Sequence, residues 1–196
     1  MRRLMVFNQI SLDGYFVDGN GDMSWAKSDR DPEFDAFVEQ NASGEAELLF
    51  GRLTYELMAS YWPTPLAIEN DPVVADRMNT LPKVVFSKTL DKAPWQNTKL
   101  EKGVLLSTVR KLKEESGPDI VIFGSGSLVS QLARAGLIDE YQFVMIPVAL
   151  GKGRTMFDGI PDRLNFKLTK SRAFGNGSVF LSYEPILSVA LRWLNS

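Results

Sequence analysis

Strand-like and helix-like stretches alternate along the chain, and that alternation predicts an α/β fold. Leu4 to Ile10 reads as a buried strand, followed by a polar loop, Ser11 to Ser24, with glycines at 14, 19 and 21. Asp31-Pro32 predicts a helix start: a capping acid before a proline, then Glu33 and Asp35 in the first turn. Phe34, Phe37 and Val38 fall on one face of that helix. Glu47 to Phe50 predicts a short strand ending at Gly51, with a helix carrying Leu57, Met58 and Tyr61 on one side directly after it. Asp71-Pro72 repeats the capped start, and Val74 and Met78 continue that helix.

Farther along, Lys83 to Ser87 predicts another short strand, and Ser107 or Thr108 the cap of a helix that Gly117-Pro118 ends. Asp119 to Phe123 reads as a strand running into Gly124-Ser125-Gly126-Ser127. Leu128, Val129, Leu132 and Ala135 give an amphipathic helix closed by Gly136, and Tyr141 to Leu150 an apolar strand with Pro147 near its end. Asn165 to Phe174 and Ser178 to Tyr183 flank Gly175-Asn176-Gly177, the pattern of a β-hairpin. The expectation is one α/β domain over residues 1–185: a mostly parallel central sheet, helices on both faces, and a C-terminal antiparallel hairpin. An apolar tail, 186–196, follows, either a helix against a partner subunit or a packed end. Such sheets bind ligands beyond the carboxyl ends of their strands.

Composition narrows the chemistry. The 196 residues carry 22 basic and 24 acidic side chains for a net charge of −2, so no general nucleic-acid footprint is present. There is no cysteine and no histidine. That removes disulfides, thiol nucleophiles, histidine-based triads and the common zinc ligands, so no metal site is expected. Acid–base work falls to Asp, Glu, Tyr, Lys or water. No run approaches the ~20 apolar residues of a membrane helix, and a soluble, cytoplasmic protein is expected.

Two strand-to-helix junctions are candidate sites. In Gly51-Arg52-Leu53-Thr54-Tyr55-Glu56 the glycine permits a sharp turn and close approach of an anion. Free amides at the helix start attract negative charge, Arg52 offers a planar fork for phosphate, and Thr54 a hydroxyl. The same residues also suit a plain glycine turn with a surface Arg and a capping Thr. Gly124-Ser125-Gly126-Ser127-Leu128 offers a concave row of N–H donors, or a tight strand–helix turn alone. Together they suit a dinucleotide pyrophosphate between two helix N-termini, with Arg52 or Lys88 for an extra phosphate. Ser87 then reaches the nucleoside end, or makes its own strand-end hydrogen bond. The loop carrying Asp22-Met23-Ser24-Trp25 reads as a lid, or as a surface loop closed by a core Trp.

Several motifs then resemble a known family. Ser11-Leu12-Asp13-Gly14, Gly51 to Glu56, Val85-Phe86-Ser87-Lys88-Thr89-Leu90, Gly124 to Leu128, Gly136-Leu137-Ile138-Asp139-Glu140 and Pro147 to Gly153 run in the order of the dihydrofolate reductase-like superfamily. They are most similar to the branch named for the reductase domain of the bifunctional riboflavin-biosynthesis deaminase–reductase. The resemblance implies a reductase using NADPH, with Arg52 and Thr54 at its phosphates and Ser87 near the adenosine. Gly124, Ser125, Gly126 and Leu128 would lie around the pyrophosphate. It also implies that Asp22 to Trp25 covers the nicotinamide and that the chain forms a homodimer. Without Cys or His the deaminase's zinc motif is missing, so a complete bifunctional enzyme is not expected. Asp31, Glu33 and Asp35 all lie at the start of their helix, out of step with the folate-binding carboxylate, which argues against folate.

The expected function is therefore hydride transfer from NADPH to a small heterocyclic or carbonyl substrate, of pterin- or pyrimidine-like class. Asp13, Tyr55 or water would supply the proton, with Asp13 also expected at the substrate. The alternative is a non-catalytic nucleotide-binding dimer serving as sensor or scaffold.

Overall fold

The computed structural model describes residues 1–27 and 29–186. In chain order the elements are β1 (Leu4–Ser11), β2 (Tyr15–Asp18), α1 (Pro32–Ala42), β3 (Glu47–Gly51), α2 (Arg52–Tyr61), α3 (Pro65–Asn70), α4 (Pro72–Thr80) and β4 (Lys83–Phe86). There follow β5 (Thr98–Glu101), α5 (Leu105–Glu114), β6 (Ile120–Phe123), α6 (Gly126–Arg134), β7 (Glu140–Ile146), β8 (Gly153–Thr155), β9 (Phe166–Ala173) and β10 (Val179–Pro185). Eight strands form one sheet in the order β5-β4-β3-β6-β1-β7-β10-β9, and β2 and β8 form a separate pair. The run from β5 to β7 is parallel; β10 is antiparallel to β7 and to β9.

The fold is α/β, as the alternation predicts. Parallel strands are covered on both faces, which is why their sequences are almost continuously apolar. On one face α5 and α6 lay Val109, Leu112, Leu128, Val129 and Leu132 against Leu4, Val6, Leu49, Val84, Ile120 and Ile122. On the other, α2 and α4 cover Leu48, Phe50 and Val85 with Tyr55, Met58 and Met78. There α1 covers Val144, Ile146 and Phe180 with Phe34, Phe37 and Val38. The carboxylate of Asp31 caps α1, accepting the Glu33 and Phe34 amides, and its other oxygen accepts the Asn176 N–H in the hairpin turn.

Several expectations are corrected. The long loop after β1 contains β2, which pairs with β8, a strand too short to show a period. The residue that α2 buries is Tyr55, while Leu57 is exposed, because the helix presents its 55/58/59 side to the sheet. Neither Ser107 nor Thr108 caps α5: the helix begins at Leu105 after Val104, and the Ser107 hydroxyl donates to the Val104 carbonyl. The apolar run after Tyr141 leaves the sheet at Ile146, before Pro147, which has no N–H for the ladder. Strand β4 ends at Phe86, so Ser87 stands just beyond it. The tail from residue 187 lies outside the described residues, which include no helix long and apolar enough to cross a membrane.

Buried charge gathers at the amino ends of the strands. The Arg2 guanidinium binds Glu47 at 2.7 Å and the Pro118 carbonyl, and Lys113 binds Asp139, which also accepts the Leu4 amide. Lys83 is 1% exposed, with its ammonium on the carbonyls of Asn79, Leu81 and Gln96 and over the Trp95 ring at 4.6 Å.

Burial pushes the Lys83 ammonium down from 10.5 to about 8. Between those values the unfolded chain keeps a proton that the folded chain has shed, so this residue's contribution to stability rises with pH across that window. In urea unfolding, the midpoint of the native chain should gain on that of Lys83→Met as pH rises through it. A difference that stays constant would contradict the account.

Candidate functional site

Strands β3 and β6 are neighbours, yet the helices that follow them leave to opposite faces of the sheet. This is the point where an open parallel sheet makes a crevice beyond its carboxyl edge. Both helices start there without a side-chain cap: α2 from Gly51, and α6 from Ser125. The helix starts therefore carry the positive ends of two helix dipoles, and in α6 the Gly126 and Ser127 amides precede Leu128, whose amide already donates to the Ser125 carbonyl.

One serine ties the two starts together. The Gly51 N–H donates to Ser125 Oγ at 2.7 Å, and Ser125 Oγ donates to Thr54 Oγ1 at 3.1 Å. The Ser125 N–H also donates to Thr54 Oγ1, at 3.1 Å. Thr54 Oγ1 thus accepts two hydrogen bonds, and its own O–H, on a partly exposed residue, is left to donate outward. Gly124 and Ser125 both adopt the left-handed conformation, with φ of +56° and +54°. A Cβ at Gly124 would meet the Thr54 side chain at 2.8 Å, so position 124 requires glycine for conformation and for space.

Arg52 is exposed and pairs with Glu56 one turn along α2 at 3.0 Å. An exposed i,i+4 pair contributes little, so the guanidinium can be redirected to a stronger anion. One strand outward, Ser87 Oγ accepts the amides of Thr89 at 3.2 Å and Leu90 at 3.0 Å, and the exposed Lys88 follows it. At ~4.8 Å between strands, the turns after β4, β3 and β6 form a row of donors roughly 10 Å long. The structure therefore brings together Arg52, Thr54, Gly124, Ser125, Gly126 and Ser127, with Ser87 and Lys88 alongside. Leu128 is corrected: its side chain is core and its amide donates to the Ser125 carbonyl. The Ser125 hydroxyl is likewise committed within the protein.

The two candidate proton donors are corrected as well. Tyr55 is 2% exposed, in the core between Phe50 and Trp95, where its hydroxyl accepts the Trp95 N–H at 2.9 Å. Asp13 accepts bonds from Ser11 Oγ at 2.6 Å and from the Leu150 and Gly151 amides, pinning that loop to the β1–β2 turn. Those bonds, that of Ser11 foremost, lower its carboxyl to about 2, so at neutral pH it has no proton to give. The segment at Asp22 is a tight turn: the carboxylate accepts from Met23 N, Ser24 N and Ser24 Oγ, while Met23 packs on the main core and Trp25 beside α1. Of the three acids beginning α1, Asp31 caps the helix and Glu33 binds Arg172, whereas Asp35 has no side-chain partner among the described residues.

Between α1 and α2 the centre of the sheet is incompletely covered. Phe7 and Gln9 of β1 and Val121 and Phe123 of β6 are only half-buried, although these strands lie in the middle of the sheet. The rings of Phe7 and Phe123 stand 5.7 Å apart and make an aromatic floor next to the junction.

Residues 2–180 match the family model of the RibD C-terminal domain. The chain belongs to that family. Among relatives of the RibD C-terminal domain is the uncharacterised protein YyaP of Bacillus subtilis (strain 168), 30% identical over 93% of this chain and 95% of its own length. Solved structures share the fold at lower identity. A pyrimidine reductase-like protein from Corynebacterium diphtheriae superposes with a TM-score of 0.64 at 14% identity, over 95% of this chain and 93% of its own. The deaminase/5-amino-6-(5-phosphoribosylamino)uracil reductase of Thermotoga maritima gives 0.66 at 15%, over 94% of this chain and 56% of its own. Enterococcus faecalis dihydrofolate reductase, complexed with NADP(H), gives 0.63 at 14%, over 94% and 97%. The dihydrofolate reductase-like fold is thereby established for this RibD C-terminal domain chain.

The sequence reading missed the Phe7–Phe123 floor and Asn8 beneath Gly124. The signal for Asn8 was present: it and Gln9 are the two amides inside the otherwise apolar run Leu4 to Ile10, and strand alternation puts them on opposite faces of the sheet. Replacing Ser125 by alanine leaves the Gly51 N–H without its acceptor and should cost roughly 1–3 kcal/mol. A thermal melt checks this; an unchanged melting temperature would show that the tie between the two helix starts is immaterial.

Proposed function

We propose that this chain is an NADPH-dependent reductase of a small, flat, uncharged ring or carbonyl compound. The observation that carries the reading is the pair of uncapped helix starts locked together by Ser125, with the Thr54 hydroxyl left to donate. A pyrophosphate supplies the acceptors and the charge that this arrangement lacks. The family, and the fold shared with a dihydrofolate reductase that binds NADP(H), support the same cofactor.

In this reading Gly126 and Ser127 offer their amides to the pyrophosphate and Thr54 its hydroxyl. Arg52 exchanges Glu56 for the extra phosphate, and Ser87 and Lys88 flank the adenosine end. NADPH, when bound, supplies a hydride from C4 of its nicotinamide. The floor of Phe7 and Phe123 stacks the substrate ring. With Asp13 ionised and Tyr55 enclosed, water supplies the proton.

Titration of the purified protein with NADPH and with NADH, followed by Trp fluorescence, tests the reading. NADPH should bind the more tightly, and Arg52→Ala should weaken it roughly tenfold or more, toward the NADH value, for loss of a charge-assisted bond. Absence of saturable binding of either dinucleotide would defeat the reductase reading.

A further inference from the structure

Asn8 sits in the middle of β1, 3% exposed. Its Oδ1 accepts the Gly124 N–H at 2.8 Å, while its Nδ2 is buried without a hydrogen-bond partner. An orphaned buried donor costs roughly 1–3 kcal/mol, so packing alone does not explain an amide here. What the amide secures is the Gly124–Ser125 turn, two successive left-handed residues directly before the first amides of α6.

A carboxylate of the same length would accept that N–H more strongly and leave no donor orphaned. It would also bury a negative charge under the turn. The charge nearest this turn is on α2, where the exposed Arg52 and Glu56 pair on either side of Thr54, the side chain that Gly124 abuts. Strands β1 and β6 carry no ionisable side chain; β7 has Glu140 and Tyr141 at its far end, and α6 has Arg134 in its last turn. The small sheet contributes Tyr15 and Asp18 of β2 and Arg154 of β8, which lies over Phe16 at 5.8 Å; that Phe16 ring is where a Cβ on Gly126 would land, at 3.2 Å.

Resting on the NADPH reading above, we infer that Asn8 is a positioning residue for the cofactor's pyrophosphate. It holds the Gly124 turn through a neutral acceptor because the turn must receive an anion. The orphaned Nδ2 is the cost of that neutrality.

The test is Asn8→Asp, titrated with NADPH beside the native protein at pH 8 and pH 6. The variant keeps an acceptor for Gly124, and burial raises its carboxyl. Its dissociation constant should exceed the native one by roughly tenfold or more at pH 8, and the ratio should shrink toward pH 6 as the carboxyl protonates. A ratio near one, or one that does not change with pH, would overturn the role given to Asn8. Should the carboxylate variant fail to fold, Asn8→Ala carries the test: NADPH affinity falls roughly tenfold, and unchanged affinity overturns the inference. Loss of NADPH binding in the native protein itself would instead defeat the underlying reading of the site.

Discussion

A single serine hydroxyl is the contact on which the arrangement at the carboxyl edge depends. Ser125 Oγ takes the Gly51 N–H and gives its own proton to Thr54. In doing so it fixes the origins of two helices that depart to opposite faces of the sheet. Each origin carries about half a positive charge, and holding two of them together is unfavourable unless an anion comes between. The left-handed Ser125, the glycine at 124 and the buried Asn8 all follow from that one junction: each makes the turn possible, and none improves the packing of the core.

The ionisable groups are sorted in a complementary way. At the amino ends of the strands Arg2, Lys113 and Lys83 are buried and satisfied by carboxylates or carbonyls. These contacts tie strands and helices together and leave nothing for a ligand. At the carboxyl ends the charges stay exposed and weakly engaged, as with Arg52 on Glu56 and the exposed Lys88. One end of the sheet serves stability and the other is available for binding, the division that open parallel sheets generally show.

Much of this was legible in the sequence. Short apolar strands followed by glycine and an amphipathic helix give the parallel sheet, and Gly175-Asn176-Gly177 gives the hairpin. The two junctions were legible as strand-to-helix turns from their glycines and small hydroxyls, but a plain turn and an anion site use the same residues, so the motifs alone did not separate the two. Tyr55 and Asp13 were misread for one reason: an aromatic hydroxyl and a turn carboxylate look the same in sequence whether they face a ligand or the protein. Their partners, the Trp95 amide and the Leu150 and Gly151 amides, are 40 and 137–138 residues away. Strand β2 was hidden because its partner β8, three residues long, lies far along the chain. The floor of Phe7 and Phe123 depends on what covers a strand, and no periodicity reports that.

The most direct test of the central claim is an amide NMR spectrum of the protein with and without NADPH. The account predicts that the amides of Gly51 to Thr54 and of Ser125 to Ser127 shift together and saturate with one affinity, since one pyrophosphate engages both helix starts. Shifts confined to one junction, or centred away from both, would contradict it.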